Sequence, residues 1–108
     1  MNNVNIEALE AGEVLILDTS NSSYRFRTGP DGHGELSGGS LDRPARARLL
    51  GAICMPEGTF IGGSLAIGSL AVFVLLDSGR GEAPASLRTS KLRRLGRIRP
   101  TGSTRSAA

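Results

Sequence analysis

Tryptophan is absent, cysteine and histidine each occur once (Cys54, His33), and only four residues are aromatic: Tyr24, Phe26, Phe60 and Phe73. Each scarcity closes a route. A lone cysteine cannot form an intrachain disulfide, and in the apolar stretch Ala52-Ile53-Cys54-Met55 it reads as a small buried hydrophobe. One Cys and one His cannot supply a closed tetrahedral metal set. His33 stands between Gly32 and Gly34 in an expected turn, a poor place for the positioned base of a nucleophile system. The acids are scattered without an Asp-x-Asp pair and read as surface carboxylates rather than as an acid/base couple. No catalytic set, metal or cofactor is expected. With so few rings the core must be built from Leu, Ile, Val and Ala, and the usual stacking platform for single-stranded nucleic acid is missing. The first thirteen residues carry three Glu and no Lys or Arg. That is the reverse of a secretory leader, so a cytoplasmic location is expected.

What the chain does have is glycine. Fifteen Gly and five Pro in 108 residues imply many turns and short strands. Glu13-Val14-Leu15-Ile16-Leu17-Asp18 is a compact apolar run that ends in the turn cluster Thr19-Ser20-Asn21-Ser22. Ser23 to Thr28 then alternates strictly, with Tyr24 and Phe26 on one face and Arg25 and Arg27 on the other. These form a first hairpin. Gly29-Pro30-Asp31-Gly32 carries turn chemistry, and His33–Ser37 is the returning strand. Ala45 to Leu50 alternates again as a strand, with a helix as the other reading. Residues 61–67 and 69–76 are two apolar runs separated by Gly68, and Val72, Phe73 and Val74 favour strands. Around residue 90 the pattern is double. Leu92, Leu95 and Ile98 recur at helical spacing, while Thr89, Ser90 and Gly96 favour an extended strand. The expectation is a single all-β domain over 1–99, a small barrel or sandwich of about five to seven short antiparallel strands. A disordered basic tail over 100–108 follows it.

A membrane reading competes for one segment. Gly58 to Leu76 is nineteen uncharged residues, close to the length that spans a bilayer as a helix, and includes Gly58-xxx-Gly62. Seven of the nineteen are Gly, Ser or Thr, which suits bends between strands better. A membrane association is therefore not expected.

Charge is divided unevenly. Residues 1–87 hold six Arg against ten acids, a balance of −4, whereas residues 88–108 hold seven basic residues and no acid. An acidic body joined to a basic end points to an anionic partner. The candidate binding residues are Arg88, Lys91, Arg93, Arg94, Arg97 and Arg99. Arg25, Arg27, Arg46 and Arg48 join them if their strands lie side by side, since alternation sets all four on outer faces. The bland readings are Arg pairing with Glu35, Asp42 or Asp18, and a basic edge strand that deters aggregation.

Thr19-Ser20-Asn21-Ser22-Ser23-Tyr24-Arg25-Phe26, then Gly38-Gly39, Gly62-Gly63-Ser64-Leu65 and Thr89-Ser90-x-Leu92, resemble short bacterial β-rich proteins of unassigned function. The resemblance covers residues 13–99 as an order of short strings and implies a β-barrel, with no activity attached. Glu35-Leu36-Ser37-Gly38-Gly39-Ser40 approximates the Asp/Asn-x-Ser-x-x-Gly motif of PilZ domains, barrels that bind cyclic di-GMP. Glu replaces Asp, Ser40 stands where Gly is required, and Arg25-Phe26-Arg27 lacks the Arg-x-x-x-Arg spacing, so that ligand is not carried over. The expected function is a non-catalytic barrel module binding nucleic acid through its basic segment. The alternatives are a self-assembling homo-oligomer with no nucleic-acid role and, behind it, a single-pass membrane protein.

Overall fold

The computed structural model describes residues 3–30, 33–39, 41–76 and 85–99. Among the described residues nine strands run in chain order: β1 (Asn3–Asn5), β2 (Val14–Thr19), β3 (Ser23–Thr28), β4 (His33–Gly38), β5 (Ala45–Cys54), β6 (Thr59–Gly62), β7 (Ser64–Ala66), β8 (Leu70–Leu75) and β9 (Ala85–Ile98). A one-turn 3₁₀ helix, Ile6–Ala8, follows β1. The main sheet has the order β4-β3-β2-β9-β8-β5-β6, and a further β4–β5 pairing closes six of its strands into a ring. Every pairing in the ring is antiparallel. The domain is thus a closed six-stranded antiparallel barrel. β5 is long enough to hold β4 along its first half, at Ala45–Arg48, and β6 along its second, at Gly51–Cys54. A bulge between Leu49 and Gly51 separates the two halves.

Strict alternation explains why these strands close. Leu15 and Leu17 on β2, Tyr24 and Phe26 on β3, Ala47 and Leu49 on β5, and Ala71 and Phe73 on β8 all point inward and are buried. Their neighbours in sequence face solvent or are half-buried. Phe26 and Phe73 meet edge to face with ring centroids 5.4 Å apart. Because β3 and β8 are three strands apart in a ring of six, this contact crosses the barrel interior. The short β1–β7 pair adds Val4 and Leu65 to the same core.

The ring fits beside β4 because Gly34 has no side chain. A Cβ built there would run into the carbonyl oxygen of Arg27 and lie 2.8 Å from the Phe26 ring. Gly34→Ala is therefore expected to cost about 1–3 kcal/mol, the usual range for overpacking. Chemical unfolding followed by circular dichroism reads that loss. An unchanged midpoint would mean that β4 can move away from Phe26 freely.

Three sequence expectations change in the structure. The apolar segment 58–76 forms three short strands, β6, β7 and β8, rather than two runs, and no helix among the described residues is long and apolar enough to cross a membrane. Residues 85–98 are one strand, with a reason for their helical spacing. Two β-bulges each insert an extra β9 residue, one opposite Ala71 and one between Asp18 and Thr19. Inward positions consequently fall at Thr89, Leu92 and Leu95, a period of three produced without a helix. The strand takes two neighbours in succession, pairing with β8 over 85–91 on one side and with β2 over 92–98 on the other, and the terminal strand of the sheet is the uncharged β6. Lastly, Glu13 is not a surface carboxylate but is 1% exposed. The expected tail, residues 100–108, lies outside the described residues.

Candidate nucleic-acid interface

β9 and Arg99, which directly follows it, carry six of the ten candidate cations, and the two bulges decide where each one points. Arg88, Lys91, Arg93, Arg94 and Arg99 are exposed on the outer wall of the barrel. Among the described residues, no ion pair reaches any of the five. On one side lies β8, which has no charged residue; Arg88 faces Val72 and Lys91 faces Leu70 in the register. On the other side lies β2, whose one acid, Asp18, stands opposite Arg94 and accepts a hydrogen bond from Ser23 Oγ at 2.6 Å. The outward Val14, Ile16, Val72 and Val74 are only half-exposed. That is the burial expected where long cationic stems lie across aliphatic neighbours with their heads in water.

Arg97 behaves differently. Its Nε donates to Glu13 Oε2 at 2.5 Å, and the Glu10 amide donates to Glu13 Oε1 at 2.9 Å. The bond from Arg97 holds the Glu13 carboxyl below its ordinary range against the opposing effect of burial, with Arg99 adding a smaller attraction. The same bond raises the Arg97 guanidinium. Arg97 is thus committed to ionising a buried acid and is withdrawn from the outer face. Sequence reading missed Glu13 because its partner lies 84 positions away and neither residue sits in a local motif.

The four remaining cations do not join β9. β3, with Arg25 and Arg27, lies two strands from β9 in one direction, and β5, with Arg46 and Arg48, two strands in the other. Nor do β3 and β5 touch: β4 runs between them, and its Glu35 stands in register with both Arg27 and Arg46. Arg25, Arg27, Glu35, Ser37 and Val14 line a small hollow of about 160 Å³. The ten candidates therefore divide into one row of five, two separate pairs and one half-buried partner of a buried acid.

A larger cleft of about 520 Å³ opens where β5 parts from β4, between the 3₁₀ turn and the β3–β4 connection. Phe26, Thr28 and Leu49 are among its walls, together with Arg48 and Glu7. It gathers no catalytic constellation. His33, at the start of β4 rather than in a turn, faces Arg48 in the register. Among the described residues no three His, Cys, Asp or Glu side chains come together to hold a metal. Cys54 is a free, half-buried thiol at the end of β5. Compared with protein-family models, curated proteins and solved structures, the chain matches none.

Proposed function

We propose that this barrel is a non-catalytic binding module for nucleic acid, which it holds by the phosphate backbone along the outer face of β9. One observation carries the reading: five exposed cations, Arg88, Lys91, Arg93, Arg94 and Arg99, lie along β9 and its immediate continuation, a strand that contains no acid and is held by β8 over its first half and by β2 over its second. A strand built into the barrel wall cannot flex as a tail does, so the backbone that presents the charges is ordered before binding and only the side chains remain to be fixed. From Arg88 to Arg99 the strand reaches at most roughly 36 Å, about the length of 11 base pairs of duplex. The outer face of β9 and its neighbours carries no aromatic ring on which bases could stack. The contacts proposed go to phosphates, which carry no sequence information, so binding is sequence-independent.

Point substitution is the correct test, because a chain ending at Leu87 lacks most of β9 and cannot close the barrel. Replacing Arg88, Lys91, Arg93 and Arg94 by Gln leaves Arg97 and its buried partner intact. Each cation–phosphate interaction removed in this way should flatten the slope of log K against log salt by about 0.9 for duplex DNA, so the four together flatten it by roughly 3–4. Arg25→Gln with Arg27→Gln, on a different part of the wall, should change the slope by less than about 1. Fluorescence anisotropy across a salt series measures both. Equal slopes for the wild type and the four-site variant would remove β9 as the binding face.

A further inference from the structure

We infer that β6 is a self-pairing edge, through which two copies of this chain associate by antiparallel β6–β6 contact about a two-fold axis at Ile61. β6 bonds β5 on one side only, all four of its residues are exposed, and Phe60 and Ile61 are 50% and 44% exposed. Open edges are ordinarily guarded by charge or proline, yet β6 has neither, and residues 58–76 are wholly uncharged.

The ladder fixes which backbone groups are free. The Ala71 amide turns toward β9, donating to Thr89 Oγ1 at 3.0 Å, so Leu70 and Val72 direct their amides and carbonyls to Ile53 and Gly51 on β5. By alternation Ala52 and Cys54 address Ile61 and Thr59 on β6. The Gly63 amide, donating to the Leu50 carbonyl oxygen at 3.0 Å, agrees with that phase. Phe60 and Gly62 consequently point their N–H and C=O groups away from the barrel. Each copy offers two donors and two acceptors. An axis at Ile61 sets Phe60 opposite Gly62 of the second copy, and all of these groups close into four hydrogen bonds.

The side chains fit the same register. On the outer face Phe60 meets a glycine rather than another bulky group. Its ring already leans over its own Gly62, with Cε2 3.5 Å from where a Cβ would stand. That leaning brings the two Phe60 rings together beside the axis, over a floor of glycine. On the opposite face Ile61 meets Ile61. A second copy is the occupant because only the same edge supplies this bulky-opposite-glycine order in both halves at once, and no like charges confront each other. Four residues of edge bury less than a standard interface, so the dimer is weak and concentration-dependent.

Sedimentation velocity over a concentration series tests the inference. The wild type should pass from monomer toward dimer below about 1 mM and be indifferent to salt. Phe60→Lys, at an exposed site, should fold normally by circular dichroism and weaken association by roughly tenfold or more, since two charges then meet beside the axis. Register is read by crosslinking in a Cys54→Ser background. Ile61→Cys faces itself and should oxidise to a covalent dimer several times faster than Phe60→Cys, which faces a glycine. A wild type that stays monomeric throughout would overturn the inference, as would a Phe60→Lys dimer of unchanged strength. Equal crosslinking at both cysteine positions would overturn the stated register.

Discussion

Phe73→Ala is expected to lower the unfolding free energy by about 3–5 kcal/mol, the range measured when a buried phenylalanine is truncated. Phe73 is fully buried, and its ring meets Phe26 edge to face at an interplanar angle of 61°. These two rings bridge opposite walls of the barrel, and the chain has no tryptophan to fill the space they would vacate. Loss of the ring removes its apolar burial, leaves a cavity bordered by stiff strands, and forfeits about 0.5–1.5 kcal/mol of aromatic pairing. A domain of this size has only about 5–15 kcal/mol in total, so the variant should be close to unfolded at 37 °C. Urea unfolding followed by circular dichroism gives the number. Phe60→Ala is the matched control, half-exposed on β6, and should change monomer stability by no more than about 0.5 kcal/mol.

Arg97→Met is expected to cost about 3 kcal/mol at neutral pH, by stranding the Glu13 carboxylate without its cation. Removing one partner of a buried pair usually costs about 3–5 kcal/mol. The lower end applies because the Arg97 side chain keeps 23% of its surface in water. The pH dependence gives the cause a signature. The pair holds the folded-state pKa of Glu13 below its ordinary value of 4.5. The stabilisation is therefore fully present above that value and is lost as the pH falls from it through the lowered folded-state pKa. A protonated Glu13 needs no cation, so the gap between the wild type and Arg97→Met should narrow on acidification. Glu13→Gln should lose stability at neutral pH and show a shallower acid slope than the wild type. A gap that stayed constant down to about pH 3 would mean that Arg97 contributes packing alone.

How much of this was legible in the sequence differs by element. The β2–β3–β4 meander could be read directly, because β2 is a compact apolar run, β3 alternates strictly between polar and apolar residues, and obvious turn residues separate the strands. β9 was ambiguous for a physical reason: two bulges changed its inward period from two to three, so a strand took on a helix-like pattern around Leu92 and Leu95. The segment 58–76 hid three strands inside one uncharged run, because edge strand, crossover and barrel wall all draw on the same residue types. The β1–β7 pair, three residues on each side, carries no periodic signal at all. Ring closure between β4 and β5 likewise depends on where β5 bulges, which no local rule specifies.

The candidate site was half legible. Charge asymmetry located the basic strand, and alternation set Arg25, Arg27, Arg46 and Arg48 on outer faces as expected. Composition could not show that β4 and its Glu35 separate the two Arg pairs, nor that one cation of the β9 segment turns toward a buried acid. Both facts are consequences of strand order, to which charge counting is blind.

The proposal is met most directly by titrating the isotope-labelled full chain with a duplex of about 12 base pairs at low salt, and mapping the amide shifts by NMR. The expected result is a set of perturbations along Leu87–Ile98 and the adjoining residues of β2 and β8, fading as salt is raised. Perturbations centred on Arg25 and Arg27, or on the cleft beside Arg48 and Leu50, would contradict it, and so would a spectrum that the duplex leaves unchanged.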